Sequence, residues 1–186
     1  FAREGFVTVA FAWVALSAIG ALPFVISGEI PFYVDAFFET VSGFTTTGAS
    51  IVTNVESMSH GILFWRSFTH WIGGMGVLVL IMAILPTGSG RSIHILRAEM
   101  AGPIKIVPKV RDTDKILYLI YMALTVLETV FLLAGGMPVF DSVVHALGTA
   151  GTGGFGIKAN SIAGYSPYLQ WVITIFMLLF GVNFNL

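Results

Sequence analysis

Cysteine is absent from this 186-residue chain, which excludes disulfides and thiolate metal sites. Charge is scarce. Asp, Glu, Lys and Arg together make up 10% of the residues, against about a quarter in an ordinary soluble domain. That leaves too little polar surface to keep a free-standing globule dissolved. The formal net charge is -1, so there is no basic excess to hold nucleic acid phosphates. No charged stretch precedes the first apolar run, which argues against a signal peptide. Apolar residues, by contrast, are abundant: 56% hydrophobic and 13% aromatic, with a mean hydropathy of +0.89. Such a composition excludes a disordered chain and leaves a polytopic membrane protein.

Four long apolar stretches carry that hydropathy. They cover about residues 5–26, 62–85 and 116–133, and a fourth starts near Tyr168 and is still apolar at Leu186. A span needs about 20 residues, so the first three are long enough to cross. The chain therefore reads as an internal piece of a longer one. In lipid the backbone must satisfy its own hydrogen bonds, which makes these stretches helices.

Two shorter apolar segments, 35–44 and 141–150, lie between paired spans and cannot cross. Each runs into a threonine- and glycine-rich stretch: Thr45, Thr46, Thr47 and Gly48, then Gly151, Thr152, Gly153 and Gly154. A short helix followed by non-helical backbone at membrane depth is a re-entrant loop, tolerated only where it is buried in protein or lines a wet cavity. A shift of 106 positions overlays the halves, bringing Asp35 onto Asp141, Thr46 onto Thr152, Gly48 onto Gly154 and Trp65 onto Trp171. Internal repeats of this kind are common in membrane transport proteins. Six of the nine basic residues (Arg91, Arg97, Lys105, Lys109, Arg111 and Lys115) fall between the second and third spans. That linker is expected on the cytoplasmic side, and both re-entrant segments then enter from outside.

The threonine–glycine runs suit an extended backbone whose carbonyls point inward, since glycine allows the unusual dihedrals required. Carbonyl oxygens can replace the hydration shell of a monovalent cation, and the C-terminal end of the preceding helix would aim partial negative charge at it. An ordinary polar turn is the alternative; two runs at matching places in a repeat count against it. Gly151, Gly153 and Gly156 also fit a G-x-G-x-x-G pattern, but a dinucleotide site needs a strand before it and a helix after it. Here a short helix precedes and a loop follows, so that reading is rejected.

Of the ionisable residues in apolar segments, Glu39 and His145 occupy equivalent positions in the overlay. Glu128 reads either as a buried structural hydrogen-bonding group or as one facing a pathway. Arg66, near a span end, is expected to snorkel to the interface. Asp35 and Asp141 are expected to cap their short helices. Gly73, Gly74 and Gly76 are read as close-packing positions rather than a gating bend. Trp65, Trp71 and Trp171 are read as interface or packing aromatics. The four histidines show no metal spacing, and nothing makes a case for an enzyme.

With these residues placed, the chain resembles the Trk/Ktr/HKT superfamily of potassium transporters, and the bacterial Trk-type membrane subunit most of all. The resemblance rests on Ser42, Gly43, Phe44, Thr45, Thr46, Thr47, Gly48 and Ala49, and on the run from Phe64, Trp65 and Arg66 through His70 and Trp71 to Gly73 and Gly74. Arg97, Ala98 and Glu99 follow, with Gly102 and Pro103, then Thr152, Gly153, Gly154 and Phe155, then Gly181, Val182, Asn183 and Phe184. It implies an all-α polytopic membrane protein with tandem, potassium-channel-like helix–pore-loop–helix repeats, two of an expected four being present. Residues 1–85 would form the first repeat, 86–114 a cytoplasmic basic linker and 115–186 the second, its last helix cut short.

The function implied is potassium uptake across the cell membrane through a central pore. Potassium would be held by backbone carbonyls of Thr46, Thr47, Gly48, Thr152, Gly153 and Gly154, with no organic cofactor and no nucleic acid partner. The resemblance further implies a gate beyond Leu186, a homodimer in the lipid bilayer, and a cytoplasmic ring of nucleotide-binding regulatory subunits. The competing reading is a secondary transporter of another cation or small solute built on broken helices. It expects inverted repeats, whereas these run parallel.

Overall fold

Long apolar runs become helices because a helix satisfies its own backbone hydrogen bonds. The computed structural model describes residues 2–76 and 110–182, and every regular element among them is helical. The end of the second span, most of the basic linker and the matches at Arg97, Ala98, Glu99, Gly102, Pro103, Asn183 and Phe184 lie outside the described residues.

The first unit opens with α1 (Ala2–Gly20), which continues after Ala21 into the short α2 (Leu22–Ile26). Pro23 is tolerated there because the N–H it lacks would have no partner within α2 in the first turn anyway. Gly28, at φ 76°, turns the chain. The short helix α3 (Tyr33–Phe44) follows, then a loop, a 3-10 turn (Val55–Ser57) and α4 (His60–Met75). The second unit repeats this order with α5 (Val110–Ala134), the short α6 (Val139–Ala150), a loop and α7 (Pro167–Phe180). Helices spanning Val7–Ile26 and Ile116–Ala134 are long and apolar enough to cross a membrane.

The two short helices match residue for residue at the 106-position shift: Tyr33–Phe44 against Val139–Ala150. The register then slips by one. Ser59 caps α4 by accepting from the Ile62 amide, and Ser166 caps α7 by accepting from the Leu169 amide, at a separation of 107. The second loop is thus one residue longer, and Trp171 sits one position earlier in its helix than Trp65 does. The fourth apolar stretch ends its helix at Phe180, with Gly181 at the C-cap.

Two sequence expectations about helix starts are corrected. Asp35 and Asp141 do not cap α3 and α6; Phe32 and Pro138 occupy those positions without side-chain caps. The apolar pairs Tyr33–Val34 and Val139–Phe140 join their helices ahead of the acids, which therefore sit in the first turn. There they still favour the positive end of the helix dipole.

α6 is the central element. It packs on α4 of the first unit and on α5 and α7 of its own, while α3 packs on α1 and α4. One apolar cluster joins Phe24, Ala36, Ile62 and Leu63 to Val144 and Ile157 across the two units. A second joins Leu132, Ala146, Leu169 and Phe176 within the second unit. The small residues of α4 make the close approach possible. A methyl on Gly73 would overlap the Phe44 carbonyl oxygen, and one on Gly74 would overlap the Tyr121 hydroxyl and lie 2.8 Å from the Ala150 carbonyl oxygen. The packing reading holds for both. Gly76 differs: at φ 72° it forms the C-cap of α4. Outward, α1, α5 and α7 expose apolar side chains such as Phe11, Leu119 and Leu178.

Candidate functional site

The C-terminal halves of α3 and α6 are buried, and each delivers its chain into a threonine–glycine loop. The loops have the same backbone signature at the 106-position shift. Thr46 and Thr152 take φ of 53° and 55°, and Gly48 and Gly154 take φ of 77° and 83°. Left-handed φ costs a non-glycine residue roughly 1–2 kcal/mol, so two threonines holding it at matched positions mark imposed geometry rather than loose turns. At α3 the helix closes through Thr46 N–H donating to Gly43 O and Thr47 N–H donating to Ser42 O, both at 3.0 Å.

The structure brings the two loops into contact. A methyl on Gly48 would overlap the carbonyl oxygen of Gly153, and one on Gly153 would lie 2.7 Å from the carbonyl oxygen of Thr46. Thr46 and Gly48 therefore lie against Gly153, although the two loops are about a hundred residues apart in the chain. The dinucleotide pattern has no strand before it. α6 runs into Gly151, and the chain from Gly156 to Ser166 has no regular structure. Among the described residues no cluster of His, Asp and Glu has metal-binding form.

Behind the loops lie residues that sequence reasoning misplaced or overlooked. Arg66 does not snorkel. It is 3% exposed, and its Nε donates to Glu39 Oε1 at 2.5 Å. Its Nη1 donates to the Gly156 carbonyl at 2.9 Å, and its guanidinium lies 3.6 Å from the centre of the Phe155 ring. A cation this deep needs such partners, because an unpaired buried charge is costly. Glu39 also accepts from Ser50 Oγ at 2.9 Å and from the Ile51 amide at 3.0 Å.

His70 is fully buried against Phe155, ring centres 4.0 Å apart, with its Nε2 beside Gly153. Neither ring nitrogen has a hydrogen-bond partner among the described residues. Metal-ligand spacing does not reveal it, since its neighbours Gly153 and Phe155 come from a loop of the other unit.

In the second unit His145 takes the place of Glu39. Its Nε2 lies 3.3 Å from the Tyr165 hydroxyl, which donates to Asp141 Oδ2 at 3.0 Å. Glu128 is fully buried on α5, and neither carboxyl oxygen has a hydrogen-bond partner among the described residues; the Thr149 hydroxyl beside it donates to the His145 carbonyl instead. The tryptophans divide. Trp65 Nε1 donates to Gly20 O, Trp71 Nε1 to Thr125 Oγ1, and Trp171 stands exposed on the outer surface.

The chain is 42% identical to the Trk system potassium uptake proteins TrkH of Salmonella typhimurium and Escherichia coli, over 99% of this chain and 39% of each relative. It is 37% identical to the E. coli Trk system potassium uptake protein TrkG over 99% of this chain and 39% of that relative. The crystal structure of the potassium transporter TrkH from Vibrio parahaemolyticus superposes with a TM-score of 0.80 at 34% identity, covering 98% of this chain and 37% of that one. The chain thus spans about two fifths of the length of the curated relatives it matches. A family model described as a cation transport protein, TrkH, matches residues 1–186. The chain belongs to the TrkH cation transport protein family.

Proposed function

We propose that this chain supplies two of the four helix–pore-loop–helix repeats of a potassium-translocating membrane subunit. Residues 1–85 form the first repeat, 86–114 a cytoplasmic linker and 115–186 the second. Backbone carbonyls of Thr46, Thr47, Gly48, Thr152, Gly153 and Gly154 line part of a short selectivity filter and replace the hydration shell of the passing ion. The observation that carries this reading is the matched pair of left-handed loops, Thr46 with Gly48 and Thr152 with Gly154, in contact at the ends of two buried short helices. An ordinary turn has no need for strained threonines at matched places, whereas a carbonyl-lined site does. The names of the relatives supply potassium as the ion.

The exposed apolar faces of α1, α5 and α7 suit lipid and the further repeats expected in the complete protein. Multi-pass insertion in the cell membrane, a homodimer and a cytoplasmic nucleotide-binding regulator belong to the same reading. The test is flux through the full-length protein reconstituted in vesicles. Gly48→Ala should abolish the preference for potassium over sodium while folded protein is still recovered. Unchanged preference in that variant contradicts the filter assignment.

A further inference from the structure

Beyond its left-handed residue, each threonine–glycine loop needs an anchor, because a short carbonyl-lined segment is only as selective as its geometry is fixed. Both loops find that anchor in one ion pair. On one side Glu39 accepts from Ser50 Oγ and from the Ile51 amide, directly after Thr46–Gly48. On the other, Arg66 donates from Nη1 to the carbonyl of Gly156, directly after Thr152–Gly154, and stacks on Phe155. The two side chains are joined to each other through Arg66 Nε and Glu39 Oε1. Glu39 rises from α3 and Arg66 from α4, so the chain of bonds runs from the first loop, through two helices of the first unit, to the second loop. Both side chains are at least nine-tenths buried. The second unit has no counterpart: His145 stands at the position matching Glu39, and Ile173 takes the place in α7 that Arg66 takes in α4, so the pair is single and serves both loops.

We propose that Glu39 and Arg66 are positioning residues that set cation selectivity by clamping the exits of both loops in one register. The inference rests on the filter reading above. A planar guanidinium is required, because it directs one N–H to the carboxylate and another to the carbonyl at fixed angles. A lysine ammonium keeps the charge and loses that two-way geometry.

The experiment compares potassium and sodium flux through the full-length protein in vesicles, with recovery of folded protein checked by size exclusion. Arg66→Lys and Glu39→Gln should lower the potassium-over-sodium ratio about tenfold, which a merely structural role would not do in protein that still folds. Ser50→Ala, at an exposed position, removes the hydroxyl shared between the two Glu39 oxygens and its bond from the Val52 amide, leaves the Ile51 and Arg66 bonds to Glu39 in place, and should lower the ratio two- to threefold. It decides the matter should the other two variants fail to fold. Wild-type ratios in the folded variants overturn the proposal. Gly48→Ala run alongside separates the two readings: loss of selectivity there with none at Glu39, Arg66 and Ser50 removes the clamp and leaves the filter, and retention at Gly48 removes the filter itself.

Discussion

The carbonyl oxygen of Gly153 fills the space that a side chain on Gly48 would take. Gly48 is also held at φ 77°, so an added methyl meets both strain and a backbone collision. Gly154 has a similar φ of 83° but nothing within 4 Å of the position its Cβ would take. The two glycines therefore separate strain from contact. Gly154→Ala should cost about 1 kcal/mol and keep part of the potassium preference, whereas Gly48→Ala should lose it. Ion flux through the two full-length variants checks this; equal effects would mean that the loop–loop contact does not matter.

Helix α4 gives a second contrast. Gly73→Ala and Gly74→Ala would drive a methyl into the Phe44 carbonyl and the Tyr121 hydroxyl, and each should destabilise by about 1–3 kcal/mol. Gly61 lies on the same helix with open space around it, so Gly61→Ala should gain up to about 1 kcal/mol of helix propensity. Thermal unfolding of the purified full-length variants should place Gly61→Ala at or above wild type and the other two below it.

The Glu39–Arg66 pair should show strong coupling. Arg66→Met alone leaves a buried carboxylate without its cation and should cost about 3–5 kcal/mol. Adding Glu39→Gln to that variant removes the stranded charge and should recover part of the loss. A double-mutant cycle in thermal or denaturant stability measures the coupling; simple additivity would mean that the two side chains are energetically independent.

Tyr165 donates to Asp141 at 3.0 Å and closes the loop of the second unit over His145. Burial, and then the hydrogen bond to Asp141, hold its hydroxyl above the ordinary tyrosine range. A raised pKa favours the neutral form in the folded protein. Its contribution is therefore complete below the unfolded value of about 10 and is lost as pH rises above it. Tyr165→Phe should cost about 1–2 kcal/mol at neutral pH, and the difference from wild type should shrink at alkaline pH. Stability of both proteins measured from pH 7 to 11 checks the direction.

Much of this arrangement is readable from residue order. The lengths of the two short apolar segments and the threonine–glycine runs that end them locate α3 and α6, and the ends at Phe44 and Ala150 fall where the sequence places them. The starts are less legible. Tyr33 and Val139 look like the tails of loops, but the chain is extended only up to Phe32 and Pro138 and turns helical directly after them, which displaces Asp35 and Asp141 from the cap. The clamp is illegible for another reason. Glu39 and Arg66 each stand out as charges in apolar segments, but nothing local pairs residues 27 positions apart, and the carbonyl that completes the arrangement belongs to Gly156 in the other unit. His70 is hidden likewise, since its neighbours Gly153 and Phe155 reach it only through the packing of α6 on α4.

The most direct test of the cation pathway is a structure of the full-length protein soaked with thallium or rubidium and mapped by anomalous scattering. The account predicts a dehydrated cation between the loops, with carbonyl oxygens from the Thr46–Gly48 and Thr152–Gly154 segments as its immediate neighbours. Cation density elsewhere in the protein, with none between these loops, would contradict it.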